Sequence, residues 1–91
     1  TIIGRNDNLE ISIIEWKPNS YASLHTHKHD TLICILDGML KETIVKDSLT
    51  KDHILTNCNT SFLTPEYSHR IDNVYFDSTF SLNISGIDDI F

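Results

Sequence analysis

The chain has 91 residues, 40% of them apolar, and a formal charge of −6. That length makes one domain, residues 1–91, with no room for a second core. Its Lys and Arg residues occur singly, which excludes the basic stripe that phosphate recognition needs, and no apolar run approaches the ~20 residues of a membrane span.

The first readable element is LEISIIEW (9–16), an imperfect alternation that predicts a strand, followed by a turn at KPNS (17–20). YASLHTH (21–27) is extended again. TLICIL (31–36) is a short continuous apolar run, the pattern of a strand buried on both sides. Asp37-Gly38 is a hairpin signal, with MLKETIVK (39–46) as the return strand. DSLTKD (47–52) reads as a polar loop. HILTN (53–57) and TSFLT (60–64) are short strands around Cys58-Asn59. PEYS (65–68) turns into HRIDNVYF (69–76), and STFSLNIS (78–85) closes the run. No segment keeps a 3.6-residue period. About eight short strands at intervals of roughly 8–12 residues predict an all-β sandwich or barrel.

The two cysteines, Cys34 and Cys58, form no C-x-x-C pair and no disulfide framework. Two reduced thiols and no signal-like opening segment make the cytoplasm the expected compartment. NTS (59–61) and NIS (83–85) match a glycosylation acceptor only by chance in that setting.

Three of the five histidines fall on alternate residues of LHTHKHDT (24–31): His25, His27 and His29. On a strand, side chains at i and i+2 share a face about 6.6 Å apart. His25 and His27 therefore aim two imidazoles at one point, and a metal accepts each nitrogen at about 2.0–2.1 Å. His69, which opens a later strand, is the candidate third ligand. An H-x-H pair alone is more often a surface feature than a metal site; the wider spacing decides between them.

That spacing resembles the cupin motifs. The first cupin motif, G-x5-H-x-H-x3,4-E-x6-G, is similar to residues 19–38, with Asn19 at the leading glycine, Thr31 at the glutamate and Gly38 at the end. The second is echoed by PEYSHRIDN (65–73), which keeps Pro65, His69 and Asn73 but is one residue shorter and lacks the inner glycine. Within the cupins the chain resembles the thiol dioxygenases, the cysteine dioxygenase family. The resemblance rests on Trp16 at the end of the strand before the H-x-H pair, on GMLKET (38–43) and on HRIDN (69–73), and it covers about residues 5–85. It implies a small cupin-type β-barrel (a double-stranded β-helix or jelly roll). It also implies a metal held by His25, His27 and His69 with no carboxylate ligand. Iron(II) is the implied cofactor, and imidazole also holds nickel or zinc in a purified sample.

The family grips a substrate carboxylate with an early arginine in an R-N setting; Arg5 in RN (5–6) looks like it, although the link to the next strand is shorter here. The family's late Ser-x-His-x-Tyr triad is reduced to Ser81, with Asn83 and Ser85 in the other two places, and Thr31 stands where some members carry a cysteine. Tyr67 is the phenol nearest His69 in sequence. Tyr75 and Trp16 are expected in the core. His29 is open to three readings, as a rim residue, as a donor behind a ligand or as a substitute ligand. His53 is expected on the surface, and Glu42 is expected to face solvent.

The implied activity is oxidation of a small thiol such as cysteine to its sulfinate. The alternative is a metal-binding cupin acting on another small acid, or binding one without turnover. The expected partners are that small molecule and a second copy of the chain, because Ile2, Ile3, Ile87, Ile90 and Phe91 leave apolar ends on a small domain. Neither nucleic acid nor membrane is an expected partner.

Overall fold

Runs rich in Ile, Val and Thr, with both prolines in turns, build strands and, among the described residues, no helix. The computed structural model describes residues 1–6 and 8–86, and among these it holds nine strands. They are β1 (Ile2–Arg5), β2 (Leu9–Trp16), β3 (Tyr21–Thr26), β4 (Thr31–Asp37), β5 (Met39–Lys46), β6 (Leu49–Thr56), β7 (Thr60–Leu63), β8 (Ser68–Asp72) and β9 (Thr79–Gly86). A five-stranded sheet in the order β1-β2-β9-β4-β7 faces a four-stranded sheet in the order β3-β8-β5-β6, with antiparallel pairing throughout. The expected all-β sandwich is what the chain forms. Its core is Trp16, Ile33, Ile35, Leu40, Leu55 and Ile71, with Ile14 and Ala22 packed against it.

Four local expectations change. Asp37-Gly38 is not a hairpin: β4 and β5 lie in different sheets, and the dipeptide is the corner between them. Gly38 has φ +112°, and a Cβ there would overlap the Oγ1, Cβ and Cα of Thr79. The same corner is fastened by the Met39 N–H, which donates to Thr79 Oγ1 at 2.9 Å, and by the Gly38 N–H, which donates to Asn57 Oδ1 at 2.8 Å. Gly38 is required by its positive φ and by close packing at this corner, and not by a hairpin turn.

The true hairpin lies in the segment read as a polar loop. Asp47 and Ser48 both have positive φ, 50° and 68°, and join β5 directly to β6. This is the mirror-image turn that matches strand twist, made without the glycine that usually signals it. Next, β4 is not buried on both sides. Thr31, Ile33 and Ile35 are buried, Leu32 and Cys34 are half-buried, and Leu36 is 46% exposed.

Finally, β8 stops at Asp72 because Asn73 ties the turn. Its Nδ2 donates to the carbonyls of Trp16 (2.7 Å) and Asp77 (3.0 Å), and its Oδ1 accepts from the Tyr75 N–H at 2.8 Å. Tyr75 is therefore half-buried beside the exposed Phe76, outside the core, whereas Trp16 is in the core as expected.

Candidate metal centre

His25 faces inward because of a bulge. Ala22 pairs with Ile71 and His25 with His69, so three steps on β3 match two on β8. An unbroken ladder would set Leu24 opposite His69 and turn His25 outward. The extra residue reverses this, which is what bulges do near functional sites, and Leu24 is 52% exposed as a result. His27 follows the end of β3 and is 5% exposed; His69 on β8 is 1% exposed.

The three Nε2 atoms form a near-equilateral triangle. The edges are 3.0 Å for His25–His27, 3.0 Å for His27–His69 and 3.1 Å for His25–His69. Among the described residues this is the group of His, Cys, Asp and Glu side chains arranged to hold a metal. Nitrogens about 2.0–2.1 Å from one ion lie about 2.9–3.0 Å apart when the angle at the ion is 90°, and about 3.3–3.4 Å apart in a tetrahedron. The triangle therefore suits one face of an octahedron.

Tautomers support the same use. His25 donates its Nδ1 proton to the Ser23 carbonyl at 2.6 Å, and His69 donates its Nδ1 proton to Glu42 Oε2 at 2.8 Å. A neutral imidazole has one N–H, so both rings present a bare lone pair at Nε2. Lone pairs brought this close favour a cation between them. The donor set fits a divalent metal, and Thr31, buried where a cupin glutamate is expected, adds no charge.

Glu42 corrects the sequence reading. It is fully buried rather than solvent-facing, and it accepts from His69, from Ser61 Oγ at 2.5 Å and from His53 Nε2 at 2.6 Å. Burial works to raise its pKa, but the hydrogen bonds from His69, Ser61 and His53 outweigh burial and hold the carboxyl below its ordinary value. A carboxylate behind a ligating histidine sets the ring's tautomer and orientation. His53 is correspondingly a half-buried partner of Glu42 and not an ordinary surface histidine. A signal for Glu42 was present: in LKETI it sits two residues from Leu40 and two from Ile44, on the apolar phase of its strand.

The remaining candidates are dispersed. Ser81 is fully buried; it accepts from Trp16 Nε1 at 2.9 Å and donates to Asn83 Oδ1 at 2.6 Å. That chain ends at Asn83 Nδ2, a buried donor with no acceptor among the described residues. Arg5 stands on β1 with its side chain 56% exposed, 4.0 Å from Glu10. Tyr67 is half-buried in the turn before β8, with Lys46 Nζ 5.0 Å from its ring centre. His29 is exposed, lies outside the nitrogen triangle and packs its ring against Gly86.

Solved structures settle the architecture. A cupin superfamily protein from Desulfitobacterium hafniense superposes with a TM-score of 0.74 at 23% identity, covering 97% of this chain and 75% of that one. The chain has the cupin fold. A cupin domain from Bordetella pertussis is similar at TM-score 0.71 and 14% identity, over 94% of this chain and 88% of that one. The Schizosaccharomyces pombe Cnp3 cupin domain is similar at 0.82 and 12%, over 97% of this chain and 59% of that one. No protein-family model and no curated protein sequence matches the chain. Within this fold the residues expected from the two motifs, His25, His27 and His69, are the ones that meet. No helix of the described residues is long and apolar enough to cross a membrane.

Proposed function

We propose that this cupin holds one divalent metal, iron(II) by first preference, at His25, His27 and His69 and oxidises a small thiol to its sulfinate. The observation that carries the reading is the Nε2 triangle with 3.0–3.1 Å edges, backed by Glu42 and free of a carboxylate ligand. Three neutral imidazoles leave the ion's charge intact, which suits an anionic sulfur donor. When bound, such a metal supplies Lewis acidity that favours thiolate over thiol and leaves positions open for small molecules. The overall reaction balances without a further reductant: RSH and O2 give RSO2H, with four electrons leaving sulfur and both oxygen atoms ending on it.

The chain's own groups have defined tasks in this reading. Glu42 keeps the His69 Nδ1 proton and so the lone pair at Nε2. Trp16 and Ser81 hold Asn83 in place, and its unpartnered Nδ2 is a donor for a bound small molecule. Arg5, exposed and loosely paired with Glu10, is the cation proposed for a substrate carboxylate, and Tyr67 is the proposed phenol. A reducing compartment, the cytoplasm, fits the two unpaired thiols Cys34 and Cys58.

A second reading, a metal-binding cupin that takes another small acid or does not turn over, is favoured by Asn83 and Ser85, which replace the family's histidine and tyrosine. Oxygen uptake by iron-loaded protein with cysteine and other small aliphatic thiols separates the two. One O2 consumed per sulfinate formed, lost in His27→Ala, is the expected result. Full iron occupancy with no uptake for any thiol rejects the dioxygenase and leaves the second reading.

A further inference from the structure

The two sheets treat their outer faces differently. The four-stranded sheet is charged outside: Arg70 donates to Asp72 through two bonds of 2.9 Å, and Lys41 lies 3.8 Å from Asp52. This is the polar-out alternation of an antiparallel sheet that meets water. In the five-stranded sheet the central strand β9 is reversed. Its inward positions are Thr79, Ser81, Asn83 and Ser85, all buried, while Phe80, Leu82 and Ile84 alternate with them and point out.

The register extends this apolar outer surface to the neighbouring strands. Ile84 lies between Ile11 and Leu32, and Leu32 lies beside Phe62. In the next row Leu82 lies between Ile13 and Cys34, and Cys34 lies beside Thr60. Two adjacent rows crossing four strands thus carry no Asp, Glu, Lys, Arg or His. At the margins Leu9, Leu36, Phe62 and Phe80 are 45%, 46%, 59% and 37% exposed. Single exposed apolar residues are ordinary, but a contiguous sheet of them marks an interface.

We propose that this face is where two copies of the chain dimerise. Each copy carries a charge of −6, so copies repel one another except across a surface without charge, and these rows are such a surface. A flat apolar face also meets itself about a two-fold axis, each copy giving the same residues. The molecule is a slab of 37 × 34 × 20 Å. Strands about 4.8 Å apart with about 3.3 Å per residue give the rows and their margins a footprint of several hundred Å2, approaching the roughly 800 Å2 per partner of a standard interface. Ile2 and Ile3 on β1, the edge strand of the same sheet, are 54% and 55% exposed. Ile87, Ile90 and Phe91, the other residues behind the expected dimer, lie outside the described residues. Because His25 and His69 stand on the opposite sheet, the dimer and the metal reading succeed or fail independently.

Sedimentation of the full chain at micromolar concentration should read twice 10.4 kDa. Leu82→Asp should read one chain, and so should Phe62→Lys on the edge strand β7, which leaves the core untouched. Ile54→Asp, on the outer side of the four-stranded sheet, should stay dimeric. Cys34 in the wild type should react with a maleimide several-fold more slowly than in folded Phe62→Lys, with the exposed Cys58 equal in both. A wild-type mass of one chain, or a folded Phe62→Lys that keeps both the dimer mass and the Cys34 protection, overturns the proposal.

Discussion

His69 donates its Nδ1 proton to Glu42 across a buried bond of 2.8 Å, and that bond ties the third histidine of the candidate metal centre to the neighbouring strand β5. Glu42 reaches Ser61 on the five-stranded sheet and His53 on β6 with its other oxygen. A single carboxylate therefore braces the third ligand against both layers.

Glu42→Gln keeps the shape and removes the charge. Metal affinity should fall roughly 10–100-fold, the usual cost of losing a carboxylate behind a ligating histidine, as read by titration against a competing chelator. His53→Ala should cost less, because Ser61 and His69 still hold the carboxylate. In metal-free protein the depressed Glu42 pKa has a sign. Its ionised form stabilises the fold above the ordinary carboxylate range, and the contribution is lost as pH falls through the depressed value. Melting temperatures taken from neutral to acid pH should therefore fall less steeply in Glu42→Gln; an unchanged acid limb would count against an ionised Glu42.

His27→Ala should abolish metal binding, since it removes one vertex of the nitrogen triangle, and His29→Ala should leave the metal in place. Metal content after dialysis gives the answer directly. Loss of metal in His29→Ala with retention in His27→Ala would mean that the three converging rings have another purpose.

The 3.0–3.1 Å triangle predicts coordination geometry. Cobalt(II)-loaded protein should show the weak visible absorption of six-coordinate cobalt. An intense tetrahedral spectrum would require the nitrogens to spread to about 3.3–3.4 Å.

Gly38→Ala should be among the costliest small substitutions. It combines φ +112° with overlap on Thr79 at the sheet-to-sheet corner. A loss of about 1–3 kcal/mol is expected for such strain, read as a lower melting temperature at about 4–8 °C per kcal/mol in a domain this small. A melting point equal to wild type would show that the corner yields.

Much of this protein was legible in its order of residues. Period-two patterning with punctuating turns names an all-β chain, and the spacing of His25, His27 and His69 names the residues that meet. The patterning and the His25–His27 pair are local facts, because strand geometry sends i and i+2 to one face wherever the strand ends up, whereas His69, on another strand, is named by the resemblance to the second cupin motif. The third dimension decided what depends on neighbours. Gly38 is a corner rather than a hairpin because Thr79, 41 positions later (79 − 38), leaves no space for a Cβ. His25 faces in because β3 slips one residue against β8. Glu42 is buried because Ser61, His53 and His69 arrive from three other strands to satisfy it. A carboxylate is normally expelled to water by the cost of desolvation, and only the sum of those hydrogen bonds, available once both sheets are packed, makes the interior the better place for it.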